Sequence, residues 1–418
     1  MSWDPYADFQ SVVLPNGLTV HTAHWPDRPW QAMGFLIHSG AEQDSVGLEG
    51  TAHFVEHLTS ANAMVGQVEL RRLFEEGGGW INLGETSYFS TMYRFFVPAN
   101  KEKLAHAFSL TGHMLLDARL EKLIERERQV IVGEYKQSFP LEFRYDLLKH
   151  EHEVVYQGYW LERFARPLGD LGSIARITQS DLQSYYDAHY TPTNMSVVGV
   201  GGMELSQLVE LLEKSPFGHT KEGARTPLPT PVAKFGPLSE TRHVIEVSKY
   251  VSVPVASGSY RSVAKIPGTV KEQAVRILDI MLETILSEEV REKRAWTYDI
   301  DCSRYNFRHF YEFIISCPAL ATEALGDIES VIADCISKVG EREDLFEQTM
   351  QKVLARIHMT DETGAGVCRG ALNDLSVFQW IVPLAGIEFA LRQVTMDNVR
   401  EALSYLQPER RWTFIMHP

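Results

Sequence analysis

The stretch "GTAHFVEHLTS" places His53, Glu56 and His57 in the pattern H-x-x-E-H. On a helix, His53 and His57 stand about 40° apart around the axis, so their imidazoles share a face and can converge on one ion. Glu56, three residues after His53, lies on the same side and can point at that ion without binding it. A catalytic zinc usually takes three protein ligands and leaves one position for water, so a third donor must come from another element. Downstream, "IERERQVIVGEYKQ" carries Glu127 and Glu134. Seven helical residues turn through about 700°, which returns these two carboxylates to nearly one face. One of them can ligate the metal while the other holds a ligand from behind. The bland alternatives are a chance pattern on a solvated helix and two surface glutamates.

This chemistry requires helices in "GTAHFVEHLTSA" and "EKLIERERQVIVGEYKQ", and both segments have helical periodicity. Around them, "SVVLPNGLTVHTA" carries a hairpin signal. "QAMGFLIHSGA" reads as a buried strand, "TSYFSTMYRFFVP" as an alternating strand closed by Pro98, and "NMSVVGVGG" as a strand ending in glycines. "SDLQSYYDAHY" reads as a helix with Ser180 as its cap. "GHTKEGARTPLPTPVAKFGP" is rich in Gly, Pro, Thr and Lys and reads as a linker. The order then recurs: strand text in "RHVIEVSKYVSVPVASGSY", helix in "KEQAVRILDIMLETILSEEV", strands in "TYDIDCSRY" and "YEFIISC", then helices. The ending "TMDNVREALSYL" followed by "RRWTFIMHP" echoes the helix-then-strand close of the first half. The expected class is α+β: two homologous domains of similar topology, each a mostly antiparallel sheet with helices packed on it. The expected boundaries are 1–218 for the metal-binding domain, 219–239 for the linker and 240–418 for the second domain.

With 418 residues, 44% hydrophobic and 23% charged, the composition is that of a soluble globular chain. The net charge of −15, from 40 basic and 55 acidic residues, argues against a nucleic-acid partner and suits neutral or cationic ones. No apolar run reaches the roughly 20 residues that cross a bilayer, and the opening segment has no signal-peptide pattern. No membrane partner and a cytoplasmic location are expected. Cys302, Cys317, Cys335 and Cys368 match no zinc or redox spacing and read as buried free thiols. In "KHEHEVV", His150 and His152 face apart on a helix and read as a solvated helix end. "VGVGGME" lacks dinucleotide-binding spacing, and no P-loop or supported Ser-His-Asp order is present.

With these motifs in place, the chain resembles the pitrilysin/insulinase zinc metallopeptidases, in their mitochondrial-processing-peptidase-like group of short chains. These are inverzincins, defined by H-x-x-E-H. "LPNGLTV" and "HSGAEQD" resemble the family's opening strands, "GTAHFVEH" its metal helix, and "LGSIARITQSDLQSYYDAHYTPTNMSVVGVGG" the end of its first domain. The resemblance implies a third ligand 77 residues after His57, which is Glu134, with Glu127 as its supporting neighbour. It implies one Zn2+ per chain on His53, His57 and Glu134, with Glu56 as general base. It also implies an Arg–Tyr pair seven residues apart in the second domain, here Arg291 and Tyr298 in "VREKRAWTYDI", donors suited to a developing oxyanion.

Two stretches depart from the family pattern. After the metal helix, "LTSANAMVGQ" lacks the usual aromatic and Gly-Thr pair. In "GGGWINLGETSYFSTMYRFFVP", Asn82 matches directly, whereas Thr86, Ser87, Thr91 and Tyr93 match with one residue inserted before Thr86, which a bulge can absorb. In the family this edge captures the substrate backbone by strand addition. The implied function is a zinc-dependent endopeptidase acting on unfolded or precursor peptides in a closed dimeric chamber. A homodimer is the simplest assembly and a heterodimer with a homologous chain the other. The alternatives are a silent or partner-dependent subunit of a heterodimeric processing peptidase and a dedicated maturation protease.

Overall fold

The computed structural model describes residues 4–61, 66–227, 238–246, 255–261, 269–308, 310–357, 363–407 and 410–418. Parts of three segments read above lie outside them: 62–65 after the metal helix, 228–237 in the linker and 247–254 in the strand text that follows it.

The first sheet has six strands: β1 (Gln10–Val13), β2 (Thr19–His24), β3 (Trp30–Ile37), β4 (Trp80–Thr86), β5 (Thr91–Pro98) and β6 (Met195–Gly201). Their spatial order is β1-β2-β6-β3-β5-β4, antiparallel throughout except for the parallel β2–β6 pair. Central β3 is buried from Gln31 to Ile37. It reads as a continuous apolar run because both faces of the sheet are covered, which removes the alternation a half-solvated strand would show. On one face lie α1 (Thr51–Ala61), α2 (Gln67–Glu76), α3 (Lys101–Leu116) and α4 (Ile124–Ser138), whose apolar side chains join Phe35, Tyr93, Phe95 and Val97 in one core. On the other face the helix Gly364–Phe378 packs against β3 and β6. Gly34 permits this approach, since a Cβ there would collide with Leu372.

The second sheet comprises β7 (Arg242–Glu246), β8 (Val255–Arg261), β9 (Asp301–Asn306), β10 (Tyr311–Cys317) and β11 (Arg411–His417), in the order β7-β11-β8-β10-β9. That order repeats β2-β6-β3-β5-β4 of the first sheet, including the single parallel pair, here β7–β11. The long helix Val270–Leu286 supplies much of this core. The repeat seen as pattern in the sequence is therefore a repeat of topology, in an α+β chain with two similar mixed, mostly antiparallel sheets.

The two compact units are not cut by one boundary. The first comprises Met1–Lys149, Arg163–Pro229 and Asp361–Pro383; the second comprises His150–Glu162, Thr230–Thr360 and Leu384–Pro418. A fifth helix, α5 (Glu142–Val155), thus ends in the second unit. No helix among the described residues is long and apolar enough to cross a membrane.

Three local readings change. "TSYFSTMYRFFVP" is not one strand: the chain turns at Ser87–Ser90, closed by the Ser87 N–H to the Ser90 carbonyl at 2.8 Å. The helix Gln179–His189 is capped by Thr178, not Ser180, in a reciprocal capping box with Asp181. The stretch around Tyr298 is loop, and β9 begins only at Asp301.

Candidate metal centre

Asp44 fixes where α1 begins. Its carboxylate accepts the backbone N–H groups of Gly50 (2.7 Å) and Ala52 (2.8 Å), donors of the kind a helix start leaves unpaired. Arg163 holds the same loop, donating to the Asp44 carbonyl (3.1 Å) and to the Glu49 carboxylate (3.0 Å). Ser173 Oγ donates to the Glu49 carbonyl at 2.6 Å, which gives part of the "LGSIAR" segment a concrete task. Further along α1, Thr59 Oγ1 lies 3.0 Å from the Tyr93 hydroxyl, itself 2.9 Å from the Tyr190 hydroxyl. Tyr93 is thus a buried prop behind the helix.

On this helix the two imidazoles lie with ring centroids 4.6 Å apart. Glu134 on α4 reaches both: its Oε2 is 3.5 Å from His53 Nε2 and 3.3 Å from His57 Nε2. In a tetrahedral zinc site with bonds near 2.1 Å, neighbouring donors stand about 3.4 Å apart. Both nitrogen–oxygen separations therefore have the spacing, and the three donors the chemistry, that fit Zn2+. Glu127 Oε2 lies 3.4 Å from His57 Nδ1, so His57 is held from behind with Nε2 turned toward Glu134. Glu56 is nearby but set apart, with Oε2 4.0 Å from His53 Nε2. It groups with the two histidines within 4.8 Å, yet Glu134 is the nearer carboxylate to the imidazole nitrogens and the better ligand.

Burial sets the charge states. It holds His53 down at about 4, with the charge of His57 adding to the effect, which leaves a neutral imidazole able to ligate. Burial also pulls His57 down, but the carboxylates of Glu134, Glu56 and Glu127 outweigh it and raise the group overall. The hydrogen bond from His57 keeps Glu134 below the usual carboxylate range. Burial pushes Glu56 up to about 7, against the lowering charge of His57 and with a further push from Glu134. A carboxylate poised near neutrality suits a general base.

Strand β4 borders this cluster and pairs only with β5 among the described strands, leaving its outer edge open. Its register against β5 slips between Asn82 and Glu85: Asn82 faces Arg94, Glu85 faces Met92, and Leu83 and Gly84 together oppose Tyr93. This is a β-bulge, placed where the sequence carries its extra residue. Gly84 adopts φ 152°, and a Cβ there would collide with the Glu56 carboxyl. Thr86 Oγ1 donates to Glu56 Oε2 at 3.3 Å, so Thr86 serves the glutamate. Ser87 lies beyond β4, in the turn, and accepts the N–H groups of Phe89 and Ser90 at 3.1 Å. Thr91 lies on β5. A cleft of about 510 Å³ runs along β4 past Glu56, His57, Trp80, Asn82, Arg126 and Glu127. Trp80 also lines an apolar cavity of about 530 Å³ beside the helix Gly364–Phe378, away from the imidazoles.

Arg291 and Tyr298 belong to the second unit. Arg291 is the next-to-last residue of a wide helical turn, Ser287–Glu292, and its guanidinium lies 5.6 Å from the Tyr298 ring centroid. Tyr298 is 84% exposed. The sequence brings the pair to notice; Asp44, Ser173 and Gly84 lie in the quoted stretches "HSGAEQD", "LGSIAR" and "GGGWINLGETS" but, like Arg163, gain their tasks only from the packing.

Residues 19–163 match the family model described as "Insulinase (Peptidase family M16)", and residues 176–361 match "Peptidase M16 inactive domain". The helix Val270–Leu286, the second unit's long core helix, accordingly carries no histidine. The chain is 32% identical over 232 residues to the mitochondrial-processing peptidase subunit beta of Saccharomyces cerevisiae, across 54% of this chain and 47% of that protein. The match thus spans about half the length of this curated relative. A protease from Helicobacter pylori superposes with a TM-score of 0.82 at 20% identity, covering 98% of this chain and 99% of that one. A structure from Pseudomonas fluorescens, described as a peptidase M16 inactive domain, superposes with a TM-score of 0.83 at 16% identity, covering 98% of both. At these identities the two structures speak for the fold.

Proposed function

This chain belongs to the pitrilysin/insulinase family of peptidases, in its mitochondrial-processing-peptidase-like group, and on that premise we propose that it is a zinc-dependent endopeptidase acting on unfolded or precursor peptides. The observation that carries this reading is the convergence of His53 Nε2, His57 Nε2 and Glu134 Oε2, with Glu56 beside them. A zinc ion held there supplies Lewis acidity toward the scissile carbonyl and toward water. Glu56 takes the proton from the attacking water and delivers it to the leaving amine. The open edge of β4 hydrogen-bonds the extended substrate backbone as an added strand. Arg291 and Tyr298 donate to the oxyanion that forms on the attacked carbonyl, supplied by a second chain in a homodimer that closes a chamber around the peptide.

Replacing Glu56 by Gln keeps the shape of the site and removes the base. The expected result is full zinc content with turnover reduced at least about a thousandfold. Peptide cleavage at the wild-type rate would overturn the role given to Glu56. The relative's name, subunit beta, favours a second reading, in which the chain acts only with a homologous partner. Size measurement of the purified chain with a fluorogenic peptide assay separates the two: an inactive monomer that gains activity on adding a second chain would replace the homodimer. A narrow cleavage profile on a peptide library would mark a dedicated maturation protease.

A further inference from the structure

A second cluster of metal-type donors lies in the second unit, apart from the residues used above. It joins His150, near the end of α5, to Glu240 and to His243 on β7. The sequence pairs His150 with His152, two residues on and facing elsewhere. In the fold its partners come from 90 residues away.

Glu240 is the hinge of the cluster. Its Oε2 lies 2.7 Å from His150 Nε2, and its Oε1 lies 3.1 Å from His243 Nδ1. The two imidazole centroids are 4.7 Å apart, and the ligand atoms of all three residues fall within 4.8 Å of one another. Fully buried Trp412 on β11 lies alongside, with its ring centroid 6.1 Å from that of His150 and 6.3 Å from that of His243, and so limits how far either imidazole can swing. His150, Glu240 and His243 are each half-buried, so the cluster keeps a side open to solvent.

We propose that His150, Glu240 and His243 form a second metal site, which takes a divalent first-row transition ion of the zinc class. Two imidazoles and one carboxylate are the donor set such ions prefer over Ca2+ or Mg2+, which favour all-oxygen cages. Three protein ligands leave at least one position for water. The separations of 2.7 and 3.1 Å are hydrogen-bond distances; an ion replaces the shared protons and spreads the donors to about 3.4 Å. Binding therefore requires neutral imidazoles and releases protons. The ion clips the end of α5 to the segment that enters β7, closing a loop of about 90 residues, so its role is to stabilise the second unit rather than to act on substrate.

The test is metal content and cobalt or zinc titration of the full chain, in wild type and in two paired variants. One pair is His150→Gln with His243→Gln, which keeps side chains able to hydrogen-bond Glu240. The other is His53→Ala with His57→Ala. The expected result is two ions per wild-type chain and one in each variant. The ion retained by the His53/His57 variant should raise its unfolding temperature, and the His150/His243 variant should keep wild-type peptidase activity. One ion in the wild type that the His53/His57 variant loses would overturn this site and leave the catalytic one standing. One ion that only the His150/His243 variant loses would support this site and overturn the catalytic assignment. A wild-type chain that binds no ion would overturn both.

Discussion

Gly84 and Glu56 touch: the backbone of the edge strand lies so close to the buried glutamate that a Cβ on Gly84 would overlap its carboxyl group. Glycine is required there twice over, for the contact and for φ 152°. The bulge at Leu83 and Gly84 sets that contact. Gly84→Ala is therefore expected to displace Glu56 while leaving His53, His57 and Glu134 in place. The outcome should be kcat lowered at least about tenfold, with KM and zinc content little changed. Steady-state kinetics beside metal analysis provides the check. A parallel loss of zinc would show that Gly84 supports the whole helix and not the glutamate alone.

Glu127 is almost fully buried and meets the cluster at His57 Nδ1, 3.4 Å away. It orients the ring and makes Nε2 the better donor. Partners of this kind typically change metal affinity by about 10–100-fold when removed. Glu127→Gln should weaken zinc binding by at least about tenfold, read by competition with a chromogenic chelator, while saturating zinc restores most activity. If affinity holds and activity falls, Glu127 acts on substrate instead.

What the sequence makes legible is the part built from local periodicity. Helical spacing alone groups His53, Glu56 and His57, and the seven-residue phase puts Glu127 and Glu134 on one face. The topological repeat shows because both halves close with a helix followed by a buried strand. What stays hidden is contact between distant segments. Nothing about Asp44 announces that it caps α1, and nothing in 364–378 announces a helix that covers β3. The turn at Ser87–Ser90 is missed because "SYFS" has no Gly, Pro or Asn to mark it. Thr178 is passed over for Ser180 since both carry hydroxyls, although Asp181 three residues after Thr178 completes a capping box.

Glu312 on β10 gives the second unit a pH signature. Burial, with the neighbouring charge of Glu151, pushes its carboxyl up to about 8 from an ordinary 4.5. Below pH 4.5 folded and unfolded chains both hold this proton. Between 4.5 and 8 the unfolded chain releases it while the folded chain keeps it, so stability falls as pH rises, by at most about 1.4 kcal/mol per pH unit. Above 8 the folded carboxyl ionises too and the loss levels off. Glu312→Gln removes this titration. Its unfolding temperature relative to wild type should climb steadily from pH 5 to pH 8 in thermal melts. Parallel profiles across that range would mean that Glu312 does not titrate as a buried acid.

The Arg291–Tyr298 pair allows a test of assembly that does not depend on seeing the dimer. Alone, Tyr298→Phe should keep zinc and lower kcat roughly a hundredfold, by removing one donor to the oxyanion. Glu56→Gln should be inactive for a different reason. If each active site takes its zinc helix from one chain and Tyr298 from the other, a mixed dimer of these two variants contains one site with both residues intact. Random re-pairing of equal amounts makes half the dimers mixed, each with one working site, so activity should return to roughly a quarter of wild type. Such recovery requires that the pair act across chains, because a site assembled within one chain is broken in both variants. Mixing that yields only the average of the two parents, under conditions where tagged chains demonstrably exchange, would place Tyr298 in the same chain as the zinc it serves.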